Sequence, residues 1–399
     1  MLDKPNHRET GPFGDPIAQW LLCEARDLPS SRAVLGELCR RLVDDGMALH
    51  RLFISARTLH PLMEVVGLQW HRRDKMVSVT PREFGIFDRD VYLKSPVRLI
   101  HQGAAEIHRR IDPGRPNQEF AILEDLAREG ATEYLALPMQ FSGGRINAVS
   151  IATHGANGFA PGEVERFKSL VPLLGLVIEI KETQRMAETL LDTYLGRDAG
   201  QRVLGGLIKR GDGVTIAAAL WYCDLRGFTA MAEQMPRDSI IRMLNDYFEC
   251  MAGAVHRHGG DVLKFIGDAV LAIFPIADDL DRDRACLTAL TAAEDALAAL
   301  AQLNQSRREA GEPILEVDIA LHTGAVMYGN IGAPDRLDFT VIGPAVNLVT
   351  RLEQLCVEMR RPLLASARFA SPCGSRLVPI GRAKLRGIAA EQEIFGLPS

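Results

Sequence analysis

The sequence predicts an α+β protein of two domains joined by a helix, and three observations carry that prediction. The chain has 399 residues, too many for one ordinary hydrophobic core. Its apolar residues, 47% of the total, fall partly into short β-like runs and partly into longer stretches with helical spacing. One helical stretch between about 163 and 205 is interrupted by Gly196, Gly200, Gly205 and Gly206, followed by the turn Gly211-Asp212-Gly213, which places a domain boundary near 210.

The elements follow in order. Residues 1–15 are polar, hold Pro5, Gly11 and Pro12 with Pro16 just beyond, and are expected to form a flexible N-terminus. Residues 16–182 read as an α+β domain, with helical patterns at Ile17–Ala25 and Arg32–Asp45 and strand-like runs at Arg51–Ser55, Glu133–Gln140 and Ile146–Thr153. Its aromatic residues Trp70, Phe84, Phe87, Tyr92, Phe120 and Tyr134 are expected mostly in the core, although they also suit a ligand pocket. Leu173, Val177, Ile180, Ala187, Leu190 and Tyr194 recur at helical spacing into the stretch 183–210, a helical linker that fits either a parallel two-helix coil or a helix packed on its own domain. From 211 to 399 the order is strand (214–224), helix (237–257), strand–turn–strand (261–274), long helix (283–310), strands (314–332), helix (344–359) and further strands, which gives a ferredoxin-like core. In its first helix Ile240, Ile241, Leu244, Phe248, Met251 and Val255 mark the expected buried face, and Gly259-Gly260 supply the stop.

Composition excludes several classes. A net charge of −5 gives no global case for a nucleic-acid partner. The N-terminus has charges and no apolar leader, and no run approaches about 18 uninterrupted apolar residues, so a soluble cytoplasmic protein with no membrane partner is expected. Seven cysteines are scattered without a Cys-x-x-Cys pair and read as buried reduced thiols rather than a disulfide framework or zinc site. The histidines show no His-Glu-x-x-His spacing, His322 reads as structural, and no phosphate-binding loop of the ordinary NTPase type is present.

The chemistry lies in the C-terminal half. Asp224 and Asp268 each follow an apolar run, Ile216–Cys223 and Val262–Ile266, so each carboxylate is expected at a strand end, within reach of a hydrated divalent cation. Asn347 and Arg351 are four residues apart and share one helix face. Carboxylates for metal and a guanidinium for phosphate point to phosphoryl chemistry.

Four motifs stand in one order: Cys-Asp-Leu-Arg-Gly-Phe-Thr at 223–229, His-Gly-Gly-Asp-Val-Leu-Lys-Phe-Ile-Gly-Asp at 258–268, Leu-His-Thr-Gly at 321–324, and Asp-Phe-Thr-Val-Ile-Gly-Pro-Ala-Val-Asn-Leu-Val-Thr-Arg-Leu at 338–352. Over 214–397 the chain thereby resembles the class III adenylate/guanylate cyclase catalytic domain. The resemblance implies that Asp224 and Asp268, with the main-chain carbonyl of Leu225, hold two Mg²⁺ or Mn²⁺ ions per active site, one acidifying the ribose 3′-hydroxyl and one neutralising the triphosphate. It places Lys264 at the base-recognition position, where an ammonium donates to adenine N1, and Thr340 at the partner position, where its hydroxyl accepts from the adenine amino group. Asn347 would orient the ribose and Arg351 the α-phosphate, while Arg386 or neighbouring Lys384, and Arg336, would reach the phosphates. The family's sites are shared between two chains, so a head-to-tail homodimer is implied. The expected reaction is conversion of ATP to 3′,5′-cyclic AMP and pyrophosphate; a guanylate cyclase and a catalytically silent nucleotide-binding scaffold are the alternatives. The absence of a Glu-Phe pair after Gly259-Gly260-Asp261 sets aside a diguanylate cyclase.

In the final third of the N-terminal region, Ala136-Leu-Pro-Met, Gly144-Arg-Ile-Asn-Ala-Val-Ser-Ile-Ala-Thr and Gly158-Phe-Ala-Pro-Gly-Glu resemble a GAF sensor domain, with a PAS-like or unclassified sensor as the alternative. That implies a GAF-like domain regulated by an unknown small molecule or ion, acting on the cyclase domain through the helix.

Overall fold

The computed structural model describes residues 14–112, 119–388 and 390–398; residues 1–13 of the expected flexible N-terminus lie outside them. The chain divides into two compact units, Met1–Leu190 and Leu191–Ser399.

The first unit is built on helices α1 (Pro16–Cys23), α2 (Ser31–Asp44), α3 (Asp90–Leu93), α4 (Pro96–His101), α5 (Ala121–Arg128) and α6 (Glu163–Leu195) and strands β1 (Leu49–His60), β2 (Met63–His71), β3 (Met76–Arg82), β4 (Ile107–Arg110), β5 (Glu133–Gln140) and β6 (Ile146–Thr153). The strands form one antiparallel sheet in the order β3-β2-β1-β6-β5-β4. Local sequence starts the two leading helices. Asp15 accepts from the Ile17 N–H ahead of Pro16 at the first turn of α1, and Ser30 accepts from the Ala33 N–H at the start of α2, so donors that the helices cannot use internally are satisfied. In α2, Val34, Leu35, Leu38, Cys39 and Leu42 are wholly buried against Leu52, Ile54, Leu68 and Trp70 of the sheet and Leu170, Leu174 and Ile178 of α6. Each such leucine contributes about 2 kcal/mol relative to an exposed one. Trp70, Phe120 and Tyr134 are core residues as expected, whereas Phe84 is exposed.

The second unit adds α7 (Arg197–Leu204), β7 (Gly213–Leu225), α8 (Phe228–Gln234), α9 (Arg237–Arg257), β8 (Asp261–Ile266), β9 (Ala269–Ile276), α10 (Asp279–Glu309), β10 (Val317–Ala333), β11 (Arg336–Ile342), α11 (Pro344–Met359), β12 (Leu363–Ser366), α12 (Ala367–Ala370), β13 (Val378–Ala383) and β14 (Gln392–Gly396). Its sheet runs β13-β14-β12-β10-β7-β9-β8, with β11 paired to β10. The central strand β7 is apolar at consecutive positions because both its faces are covered. Ala219, Trp221, Cys223 and Leu225 pack with Met243, Tyr247 and Met251 of α9 and Ala289, Ala293 and Ala296 of α10. Ala218 and Leu220 pack on the opposite face with Val349, Leu352 and Cys356 of α11 and Ala199 of α7.

Two expectations need correction. The buried stripe of α9 runs through Met243, Tyr247, Met251, Ala254 and Val255, leaving Ile241 exposed; its apolar arc is wider than the surface the sheet and α10 cover. The cysteines are all free, but Cys23 is exposed and Cys250 only partly buried. Within α10, Asp281–Glu309 is long and apolar enough to cross a membrane by length and composition alone, and its small-residue face, including Ala285, Ala289, Ala292, Ala293 and Ala296, is buried in the second unit's core.

Candidate active site

Two carboxylates meet at the end of the central strand. Asp224 is the penultimate residue of β7, and Asp268 follows Gly267 in the turn between β8 and β9. Gly267 has φ +66°, a left-handed conformation that a residue with a Cβ adopts at a cost, and it lets the hairpin turn in two residues. Because β7 pairs with β9 through Cys223 and Val270, the turn brings Asp268 up to Asp224. Burial, followed by the Asp268 carboxylate close beside it, pushes the Asp224 carboxyl up to about 7. One Asp224 oxygen accepts from the Leu225 N–H at 3.0 Å.

Two further acids border this pair and were not anticipated from the sequence. Asp318 stands opposite Asp224 in the β10–β7 register and is only 2% exposed. It is committed to Arg226, whose Nε donates to it at 3.1 Å and whose Nη2 also pairs with it, while Nη1 reaches Glu316 at 2.8 Å. Glu353, on the buried side of α11, is pushed up to about 7 by burial and then by Asp224, Asp318 and Asp268. Among the described residues, no lysine or arginine forms an ion pair with Asp224 or Asp268. Two facing carboxylates without a cation, beside the main chain of Leu225, form a donor set of hard oxygens that fits Mg²⁺ or Mn²⁺ rather than zinc.

The base-recognition candidates form a second group. The Lys264 ammonium on β8 pairs with the Asp338 carboxylate on β11. Thr340 stands two residues further along β11, hence on the same face as Asp338, and is 7% exposed. Asp338 escaped notice although the two-residue period of the strand was the signal that could have found it. A cleft of about 1130 Å³ opens beside Lys264 and Asp338, bordered also by Tyr194, Arg197, His256 and Phe265. Asp224 and Asp268 do not line this cleft.

The remaining candidates are exposed or nearly so. Asn347 lies on the open face of α11, and the Arg351 guanidinium, one turn on, donates to Gln354 at 3.1 Å. Arg336 opens β11, and Arg386, like Lys384, sits in the exposed connection between β13 and β14. Among the described residues, no hydrogen bond or ion pair joins these groups to Asp224, Asp268 or Lys264. His322 is buried with Nδ1 2.7 Å from the Ser366 hydroxyl, and burial lowers its pKa to about 4; this is the structural role expected of it.

Comparison with known proteins bears on the second unit. Residues 210–394 match the model of the adenylate and guanylate cyclase catalytic domain. The chain is 39% identical over 152 residues to an adenylate cyclase of Anabaena cylindrica, covering 37% of this chain and 29% of that protein. It is 32% identical over 178 residues to adenylate cyclase 1 of Rhizobium meliloti (strain 1021), covering 44% of this chain and 26% of that protein. The chain thus spans less than a third of the length of these curated relatives. Among solved structures, the adenylyl cyclase CyaB from P. aeruginosa is similar with 24% identity and a TM-score of 0.43, over 47% of this chain and 96% of that one.

Proposed function

From the match of residues 210–394 to the adenylate and guanylate cyclase catalytic domain, we propose that the protein converts ATP to 3′,5′-cyclic AMP and pyrophosphate. The observation that carries this reading is the Asp224–Asp268 pair, two carboxylates brought together with no basic side chain paired to either among the described residues. Asp224, Asp268 and the Leu225 carbonyl would hold Mg²⁺ or Mn²⁺. When bound, such ions neutralise triphosphate charge and lower the pKa of the ribose 3′-hydroxyl.

The chain's own groups do the rest. Lys264 donates to adenine N1, a position at which guanine offers a donor of its own, so ATP is favoured over GTP. Asp338 holds the ammonium in place, and the Thr340 hydroxyl accepts from the adenine amino group. Asn347 orients the ribose, and Arg351 stabilises the charge that gathers at the α-phosphate as the 3′-oxygen bonds to it and pyrophosphate departs. Arg386 and Arg336 supply charge for the outer phosphates.

Among the described residues no hydrogen bond or ion pair joins Asp224 or Asp268 to Asn347, Arg351 or Arg386 within one chain, which supports completion of each site by a second copy arranged head to tail. Exposed Phe265, Ile266, Ile241 and Ile342 offer apolar surface on the same unit for that contact. Mixing an Asp224→Ala chain with an Arg351→Ala chain, each inactive alone, should restore activity through one intact site per dimer. Silence of a mixture shown to contain mixed dimers would defeat the shared-site reading. The N-terminal unit we assign as a GAF-like sensor acting on the cyclase through the helix that links them, in a cytoplasmic setting where ATP is supplied and thiols stay reduced. Equal activity of residues 191–399 and the full chain under every condition tested would contradict that assignment.

A further inference from the structure

We propose that His50, His71 and Glu129 in the N-terminal unit form a binding site for a borderline divalent transition-metal ion of the zinc and cobalt class. Among the described residues, these three are the group of histidine and acidic side chains whose donor atoms lie within 4.8 Å of one another. They come from places distant in sequence: His50 from β1, His71 from the end of β2, and Glu129 from the residue that closes α5. Both imidazoles turn Nε2 toward the same Glu129 oxygen, each at 3.2 Å. A tetrahedral ion bound at about 2.0–2.2 Å sets its ligand atoms roughly 3.3 Å apart. Two of the three separations already meet that requirement.

The environment of the rings agrees with ligation through Nε2. His50 is 1% exposed, and its buried Nδ1 has no hydrogen-bond partner among the described residues, so the hydrogen bonding of this ring is on the Glu129 side. His154 stands near it, ring centroids 6.3 Å apart. His71 Nδ1 accepts from the Arg73 N–H at 3.0 Å. Ligation through Nε2 would move the ring proton to Nδ1 and open that bond, so occupancy of the site is coupled to the β2–β3 turn. A cleft of about 480 Å³, bordered by His71, Glu129, Gln69 and Ser78, leads from solvent to the cluster and leaves room for water as a fourth ligand.

The donor set also selects the ion. Two neutral imidazoles and one carboxylate carry a net charge of −1, and the Arg72 guanidinium acts on His50 while Arg51 acts on Glu129. A hard ion held by oxygen and charge alone is disfavoured there; an ion that prefers nitrogen is suited. The alternative is a carboxylate that merely accepts two N–H bonds, with no ion.

The test is a cobalt titration of the chelator-stripped full chain, followed by visible absorption and zinc competition. We expect one Co²⁺ per chain with the intense spectrum of a four-coordinate site, displaced by Zn²⁺. Asp268→Asn should leave that spectrum intact, because the carboxylate pair of the catalytic domain offers only oxygen. His71→Ala and Glu129→Gln should weaken binding about tenfold or more, and Arg72→Gln should strengthen it. Circular dichroism controls for folding; if His71→Ala does not fold, the opposite shifts of Glu129→Gln and Arg72→Gln carry the test. A folded chain with no such spectrum, a spectrum unchanged by Glu129→Gln, or one lost in Asp268→Asn would overturn the proposal.

Discussion

Replacing Asp268 by Asn should stabilise the metal-free protein near pH 8 while abolishing the proposed reaction. The Asp224 carboxyl lies at about 7 instead of its ordinary 3.8, through burial first and the Asp268 carboxylate second. A folded-state value raised above the unfolded one favours folding fully below about pH 4, and that advantage is lost as pH climbs through 7. Converted whole, the displacement is worth about 4 kcal/mol. Burial persists in the variant, however, and the half-exposed pair is screened by solvent, which leaves about 1 kcal/mol for the repulsion that Asn removes. For a unit of this size that is a Tm gain of about 2–4 °C. Calorimetry in chelator should show this gain in the second unit's transition at pH 8 and little of it at pH 5, where Asp224 is protonated already. Mn²⁺ should raise the wild-type transition and leave the variant nearly unmoved. A variant that unfolds at lower temperature than wild type at pH 8 in chelator would refute the reasoning, because Asp268 would then be stabilising without an ion.

Other outcomes follow from the same geometry. Asp338→Ala should free the Lys264 ammonium, raise KM for ATP and cut the preference for ATP over GTP about tenfold, with Asp338→Asn recovering part; unchanged selectivity would remove Asp338 from base recognition. Arg226→Ala leaves Asp318 buried without its cation and should cost about 2–4 kcal/mol in chemical denaturation; adding Asp318→Asn should return much of the loss, and a strictly additive double variant would contradict the pairing. Gly67→Val should cost about 1–3 kcal/mol in the first unit, since a Cβ there would meet the Phe53 ring at 3.0 Å; an unchanged unfolding midpoint would show that the ring moves away freely.

The second unit was legible where local rules and topology agree. β7 reads as a strand because both its faces are covered, and Asp224 and Asp268 sit where an apolar run stops and where Gly267 permits a tight turn. Asp318 and Glu353 were invisible because an acid within an apolar pattern reads as the solvent-facing position, whereas Asp318 is sustained by Arg226 from the turn after β7 and Glu353 is buried among other acids. The first unit was read less fully. Gly67 leaves room in β2 for the Phe53 ring, a long-range fit that no local pattern shows; β3 buries only Val77 and so lacks an apolar alternation; and β4 has four residues, too few for periodicity to register. The meeting of His50, His71 and Glu129 depends on strand register and the end of α5, which no local motif encodes.

The most direct test of the proposed reaction is cyclic-nucleotide formation by the 399-residue chain, supplied separately with ATP and GTP in Mg²⁺ and in Mn²⁺. The account predicts cyclic AMP from ATP, little cyclic GMP from GTP, and no product from Asp268→Ala with either metal. Cyclic GMP as the main product would overturn the role given to Lys264, and ATP bound by a dimer that forms no product in either metal would contradict the central claim.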